Sequence, residues 1–160
     1  MFIGPVYSLT NNGVVIATAI SALQLLAGAN GPVEVLRCAV TQSSTTTSAQ
    51  VVAGLIRKTA AATVTAAVAG TTLLKGNPVA PTTNATLSTS GTGITASAEG
   101  TNGELSVQRG FNILNGWEWL PTPEERILAP QAGILAVTFL AAPTSATYNV
   151  ELRFRELRGS

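Results

Sequence analysis

The sequence predicts an all-β chain, an antiparallel two-sheet jelly-roll sandwich of about eight strands. Three observations predict it. Apolar and polar residues alternate with period two through several runs, which puts successive side chains on opposite faces of a strand. Turn-forming residues separate those runs at short intervals. The 160 residues are 46% hydrophobic and only 11% charged, enough for one sizeable core and unlike a disordered chain.

The expected strands are 5–10, 14–26, 33–41, 49–58, 62–68, 104–120 in one or two pieces, 134–141 and 147–157. Asn11-Asn12-Gly13 is read as the first turn and Asn30-Gly31-Pro32 as the next, since these residues tolerate positive φ or initiate turns. Residues 20–27 and 60–69 are rich in alanine, a helix former. Thr59, Thr63, Val64, Thr65 and Val68 are β-branched, however, and both segments are therefore assigned as strands. Residues 82–93 form a long uncharged Ser/Thr/Gly-rich excursion, and 99–104 read as a hairpin tip. Residues 134–140 are apolar on both faces, as in a strand inside an assembly. The last strand is half-buried: Tyr148, Val150, Leu152 and Phe154 share one face, Asn149, Glu151, Arg153 and Arg155 the other. The rival immunoglobulin-like sandwich lacks its Cys, Trp, Cys spacing.

Missing residue types narrow the chemistry. The chain has no histidine, and all eight acids are glutamates. Ser-His-Asp and Cys-His catalysis are thereby excluded, and the commonest transition-metal ligand is absent. Cys38 is the only cysteine, so no internal disulfide forms. A net charge of +1 provides no electrostatic footprint for nucleic acid. The expectation is a chain that is not an enzyme, takes no cofactor or metal, and binds no nucleic acid.

Residues 1–33 carry no charge, and 14–20 are almost entirely apolar, so a signal peptide or membrane span must be weighed. No basic region precedes the apolar run. Thr18, Ser21, Gln24, Gly28 and Asn30 interrupt the roughly 20 apolar residues that a span needs. The segment is assigned to buried or interface strands, with no membrane partner.

Trp117-Glu118-Trp119 is the most distinctive cluster. Alternation places both indoles on one face, where they plug the core, anchor a subunit interface or stack on sugar, in that order of preference. Glu118, Glu124 and Glu125 lie near them, as a paired-carboxylate hydrolase would require, but 121–126 read as a Pro-rich solvated connector. Arg153, Arg155 and Arg158 make a basic end interleaved with Glu151 and Glu156, read as a solvated strand face or a contact for an acidic partner. Asn84-Ala85-Thr86 has the form of a glycosylation sequon and Gly91-Thr92-Gly93 lacks the lysine of a phosphate loop; neither carries weight.

A resemblance now enters. Val35-Leu36-Arg37 with Val40-Thr41-Gln42-Ser43, Ile56-Arg57-Lys58, Phe111-Asn112-Ile113-Leu114-Asn115-Gly116-Trp117, Leu120-Pro121-Thr122-Pro123-Glu124-Glu125-Arg126-Ile127 and Gly133-Ile134-Leu135-Ala136 carry it, with the closing residues 154–157. Over 33–157 the chain resembles the jelly-roll cement, or decoration, proteins of tailed-phage capsids, including those of short-tailed cyanophages. The resemblance implies a homotrimer on the capsid exterior, made in the host cytoplasm, that clamps neighbouring copies of the major capsid protein. The expected organisation is an N-terminal arm, 1–12, followed by one sandwich domain, 13–160, with the arm adding a strand to a neighbour's sheet edge. Candidate interface residues are Phe2, Val6, Tyr7, Trp117, Trp119, Arg153, Arg155 and Arg158. The alternative is a receptor- or glycan-binding jelly-roll module of a phage fibre or spike, using Trp117, Trp119 and the loop 43–48.

Overall fold

A computed structural model describes residues 4–44, 46–77, 96 and 98–157. Alternation dictates what the backbone does: the described residues form ten strands and one turn of 3-10 helix, packed as a two-sheet antiparallel sandwich. The strands are β1 (Val6–Ile16), β2 (Ser21–Leu26), β3 (Val33–Gln42), β4 (Gln50–Ala60), β5 (Leu73–Lys75), β6 (Thr101–Asn112), β7 (Trp117–Trp119), β8 (Leu128–Ala129), β9 (Ile134–Phe139) and β10 (Ala146–Glu156). One sheet runs β5-β1-β10-β3-β7, with β8 also pairing β3; the other runs β2-β9-β4-β6.

Inward side chains of both sheets form one core. Tyr7 and Leu9 from β1, Val35, Cys38 and Val40 from β3, and Tyr148, Val150, Leu152 and Phe154 from β10 meet Leu23, Leu25, Leu55, Leu135, Val137 and Phe139 of the smaller sheet. Aromatic contacts tie the layers together. Phe139 of β9 meets Tyr148 of β10 edge-on at 4.9 Å, and Phe111 of β6 stacks on Trp117 of β7 at 6.2 Å. Each such side chain contributes about 1.5–3 kcal/mol by leaving water.

Several expected boundaries are corrected. Asn11-Asn12-Gly13 does not end a strand. It is a β-bulge inside β1, where the register against β10 shifts by one residue and Gly13 takes φ +72°. The bulge is held from both sides: Asn11 Nδ2 donates to the Ala22 carbonyl at 2.8 Å, and Gly13 N–H donates to Asn149 Oδ1 at 2.9 Å. The break expected there falls instead at 17–20, between β1 and β2. Residues 62–68 are not a strand; they make only isolated bridges, one of them Thr63 to Ala98. The segment buries too little apolar area to hold a full ladder: only Ala62 and Ala67 are buried there, and Val68 is exposed. The expected hairpin tip at 99–104 is the start of β6, where Thr101 and Asn102 pair with Ala60 and Lys58. The short strands β5 and β8 carry no alternating run of useful length.

The described start of the connection after β4, 61–77, packs back on the sandwich. It leaves β4, passes the buried Gln24 of β2, places Ala67 and Leu73 in the core, and pairs β5 with the outer edge of β1. The apolar segment 14–20 lies in β1 and the turn after it, and no helix among the described residues is long and apolar enough to cross a membrane. Residues 6–12, read as part of an arm, belong to β1; within the chain 6–11 pair with β10, and Tyr7, Ser8 and Leu9 pair with β5 on the other side. Phe2, Arg158 and the excursion 82–93 lie outside the described residues.

Candidate functional site

The outer face of the larger sheet concentrates charge in a chain that has little. On β10 the outward residues are Asn149, Glu151, Arg153 and Arg155; on β1, Ser8, Thr10 and Asn12; on β3, Arg37, Ala39 and Thr41. Arg37 and Arg153 are register partners, two arginines standing opposite each other on adjacent strands. Like charges in that position are destabilising unless anions intervene. Arg37 has two: Glu118 of β7 accepts from its Nε, and Glu151 accepts from Nη1 at 2.8 Å. The Glu118 hydrogen bond chiefly raises the Arg37 guanidinium further above its ordinary pKa. Arg155 donates through Nε and Nη2 to Glu34 at 2.9 and 2.6 Å, and Arg126 shares the same carboxylate oxygen at 3.6 Å. Arg153 makes no ion pair among the described residues and is exposed.

A bulge adds apolar surface beside these charges. The β3 register shifts between Arg37 and Val35 opposite the adjacent Arg153 and Phe154, so Leu36 is the extra residue. With Val6, Leu120 and Pro121, Leu36 joins Arg37, Arg126, Arg153 and Arg155 around a hollow of about 460 Å³. Leu120 is 72% exposed at its rim. A neighbouring hollow of about 310 Å³, lined by Ser8, Thr10, Asn149 and Glu151 among others, shares Arg37 with it. Both are open concavities on a sheet face.

The candidate residues divide between this face and the interior. Val6, Arg153 and Arg155 line the larger hollow. Tyr7 is fully buried and stacks on Phe154 at 5.6 Å. Trp117 is 9% exposed and packs in the core opposite Val40, while Trp119, opposite Cys38, is partly buried against it. Glu118, between them, points to Arg37 as alternation requires. Glu125 accepts hydrogen bonds from Thr122 N–H and Oγ1 at 3.3 and 3.2 Å, capping the 3-10 turn Pro123–Glu125. Those two carboxylates have structural partners.

A second polar cluster is not legible as a cluster in the sequence. On the outer face of the smaller sheet, Glu99 accepts from Ser21 N–H at 2.9 Å and from Ser21 Oγ at 2.6 Å; Ser21 Oγ also meets Thr138 Oγ1 at 3.1 Å. Lys58 Nζ donates to the Glu99 carbonyl at 2.6 Å and to Asn102 Oδ1 at 2.8 Å, and lies 3.4 Å from Glu99 Oε2. The one local signal is the pair Arg57-Lys58 closing the apolar run 51–56, and nothing local marks Lys58 as the buried member. Cys38 is wholly enclosed, and burial pushes its thiol up to about 12, so it is no nucleophile. Comparison with protein-family models, with curated proteins and with solved structures finds no match for this chain.

Proposed function

We propose that this chain is a structural, non-catalytic protein of a virion shell, a capsid decoration protein that docks through the outer face of its larger sheet. The observation that carries the docking face is the pair Arg37 and Arg153. Arg37 is neutralised within the chain, while Arg153, with Leu120 and Leu36 beside it, is left for an external partner bearing carboxylates. An open hollow with a polar rim and an exposed leucine suits a protein surface better than an enclosed small-molecule pocket.

The jelly-roll form of the sandwich is part of this reading. Strand order supports it: β1, β10, β3 and β7 in one sheet, β2, β9, β4 and β6 in the other, is the order of two interleaved Greek keys. The capsid itself, the trimer and the major capsid protein as partner come from the resemblance of 33–157 to phage cement proteins. Binding to the assembled shell and not to its separated parts stabilises the shell by mass action, multiplied over many symmetric copies.

Purified virions test the reading directly. Hundreds of copies per particle, a solution mass three times that of the chain, and heat-sensitive particles when the chain is omitted are the expected results. A monomer in solution, or particles of unchanged heat resistance without it, overturns the proposal. A few dozen copies or fewer would place it in a fibre instead.

A further inference from the structure

The cluster on the smaller sheet brings an amine, a carboxamide and a carboxyl group into hydrogen-bonding reach. Lys58 and Asn102 are cross-strand partners on β4 and β6, so strand pairing holds them together. Lys58 Nζ is 2.8 Å from Asn102 Oδ1. Because a C=O bond is about 1.23 Å long, Nζ lies within about 4 Å of the amide carbon Cγ. That is a small movement from the separation of about 3–3.5 Å at which attack occurs. The Lys58 side chain is 0% exposed, so water does not compete for the amine. Glu99 Oε2, 3.4 Å from the same nitrogen, is oriented by the two donors of Ser21.

We propose that Lys58 and Asn102 join in an intramolecular isopeptide bond, with Glu99 as the proton carrier. Glu99 takes a proton from the Lys58 ammonium, and the freed Nζ lone pair adds to Asn102 Cγ while the carbonyl π pair moves onto Oδ1. Glu99 then delivers its proton to Nδ2 and takes up the proton in excess on Nζ. The carbonyl re-forms from the oxyanion, the Cγ–Nδ2 bond breaks with its electron pair going to nitrogen, and the ammonia released takes the second proton from Glu99 and leaves as ammonium. One ammonium and one primary amide become one secondary amide and one free ammonium ion, with no oxidation or reduction. Asn102 is exposed, which gives the leaving group a path to solvent. The bond would staple edge strand β6 to β4 at the root of the 61–100 connection.

Intact-mass spectrometry of the purified full chain, followed by tryptic mapping, tests this. The expected mass is that of the sequence less one ammonia, with a branched peptide in which residues 58–75, uncut after Lys58, are joined through Asn102 to residues 76–109. Lys58→Arg and Glu99→Gln, each checked for folding by circular dichroism, should keep the full mass. A folded wild-type chain of full sequence mass overturns the proposal. So does loss of ammonia confined to an Asn102-Gly103 succinimide with no branched peptide. Complete cross-linking in Glu99→Gln overturns the role given to Glu99.

Discussion

Gln24 and Ala62 form a reciprocal pair: Gln24 Nε2 donates to the Ala62 carbonyl at 3.2 Å, and Ala62 N–H donates to Gln24 Oε1 at 2.8 Å. Both residues are buried, and the pair fastens the start of the 61–100 connection to β2. A side-chain amide here does what a neighbouring strand would do, satisfying one backbone donor and one acceptor that have no ladder.

Gln24→Leu should therefore cost more than its volume implies. It leaves two buried backbone groups of Ala62 unpaired, at about 1–3 kcal/mol each. The expected loss is about 2–6 kcal/mol, or a Tm fall of roughly 4–24 °C for a chain of this size. Urea unfolding measures it, and hydrogen exchange should show the Ala62 amide exchanging faster than its neighbours. An unchanged Ala62 amide would show that the pair is not what fastens the connection.

Two left-handed glycines should respond differently to the same change. Gly100 has φ +65°, and a Cβ there would lie 2.3 Å from the Ala60 carbonyl oxygen and 2.4 Å from that of Ala61. Gly13 has φ +72° but open space around the missing Cβ. Gly13→Ala should cost only the conformational term, about 1–2 kcal/mol. Gly100→Ala adds a backbone clash where the connection returns to β6, and should exceed about 3 kcal/mol. Equal melting temperatures for the two variants would contradict the packing described around Gly100.

Cys38 ties stability to alkaline pH. Its thiol is held by burial at about 12, against an ordinary value of 9.0. Below pH 9 both folded and unfolded thiols are protonated, and the full stability is present. As pH rises from about 9 to about 12 only the unfolded thiol ionises, so stability falls, by up to about 4 kcal/mol from this group. Urea midpoints at pH 8 and pH 10.5 should fall less in Cys38→Ala than in the wild type. A thiol reagent should label Cys38 only under unfolding conditions; rapid labelling of the folded chain would contradict its enclosure.

The docking face makes a surface prediction. Leu120→Glu and Arg153→Glu alter exposed side chains without structural partners among the described residues, and each should change folding stability by no more than about 0.5 kcal/mol. Both should abolish association with the shell, measured by co-sedimentation with particles stripped of the chain. Arg37→Ala should instead lower stability, by about 0.5–1 kcal/mol, since it removes the cation that the partly exposed Glu118 and Glu151 share. Wild-type binding by both surface variants would move the interface elsewhere.

Residues under a strong local rule are legible in the sequence. Tyr148, Val150, Leu152 and Phe154 fall on one face of β10, and Trp117 and Trp119 on one face of β7 with Glu118 opposite, as alternation requires. Asn115-Gly116 separates β6 from β7. Where two local rules conflict, the sequence does not decide. Asn-Gly at 12–13 supports a turn and a bulge equally well, and only the partner strand chooses between them. Residues 62–68, with Thr63, Val64, Thr65 and Val68 β-branched, suit a strand locally but bury too little apolar area to form one.

By itself the sequence determined the β class, the approximate span of most long strands and the exclusion of histidine-based chemistry, because these depend on residue type and period-two spacing alone. Tertiary structure decided which strands are neighbours, and with that everything that depends on pairs distant in the chain. Arg37 opposite Arg153, Glu34 between Arg126 and Arg155, and Lys58 beside Asn102 and Glu99 are separated by 41 residues or more in the sequence. No local period encodes such a meeting; it is set when the sheets close and the strand order brings β3 against β10 and β4 against β6.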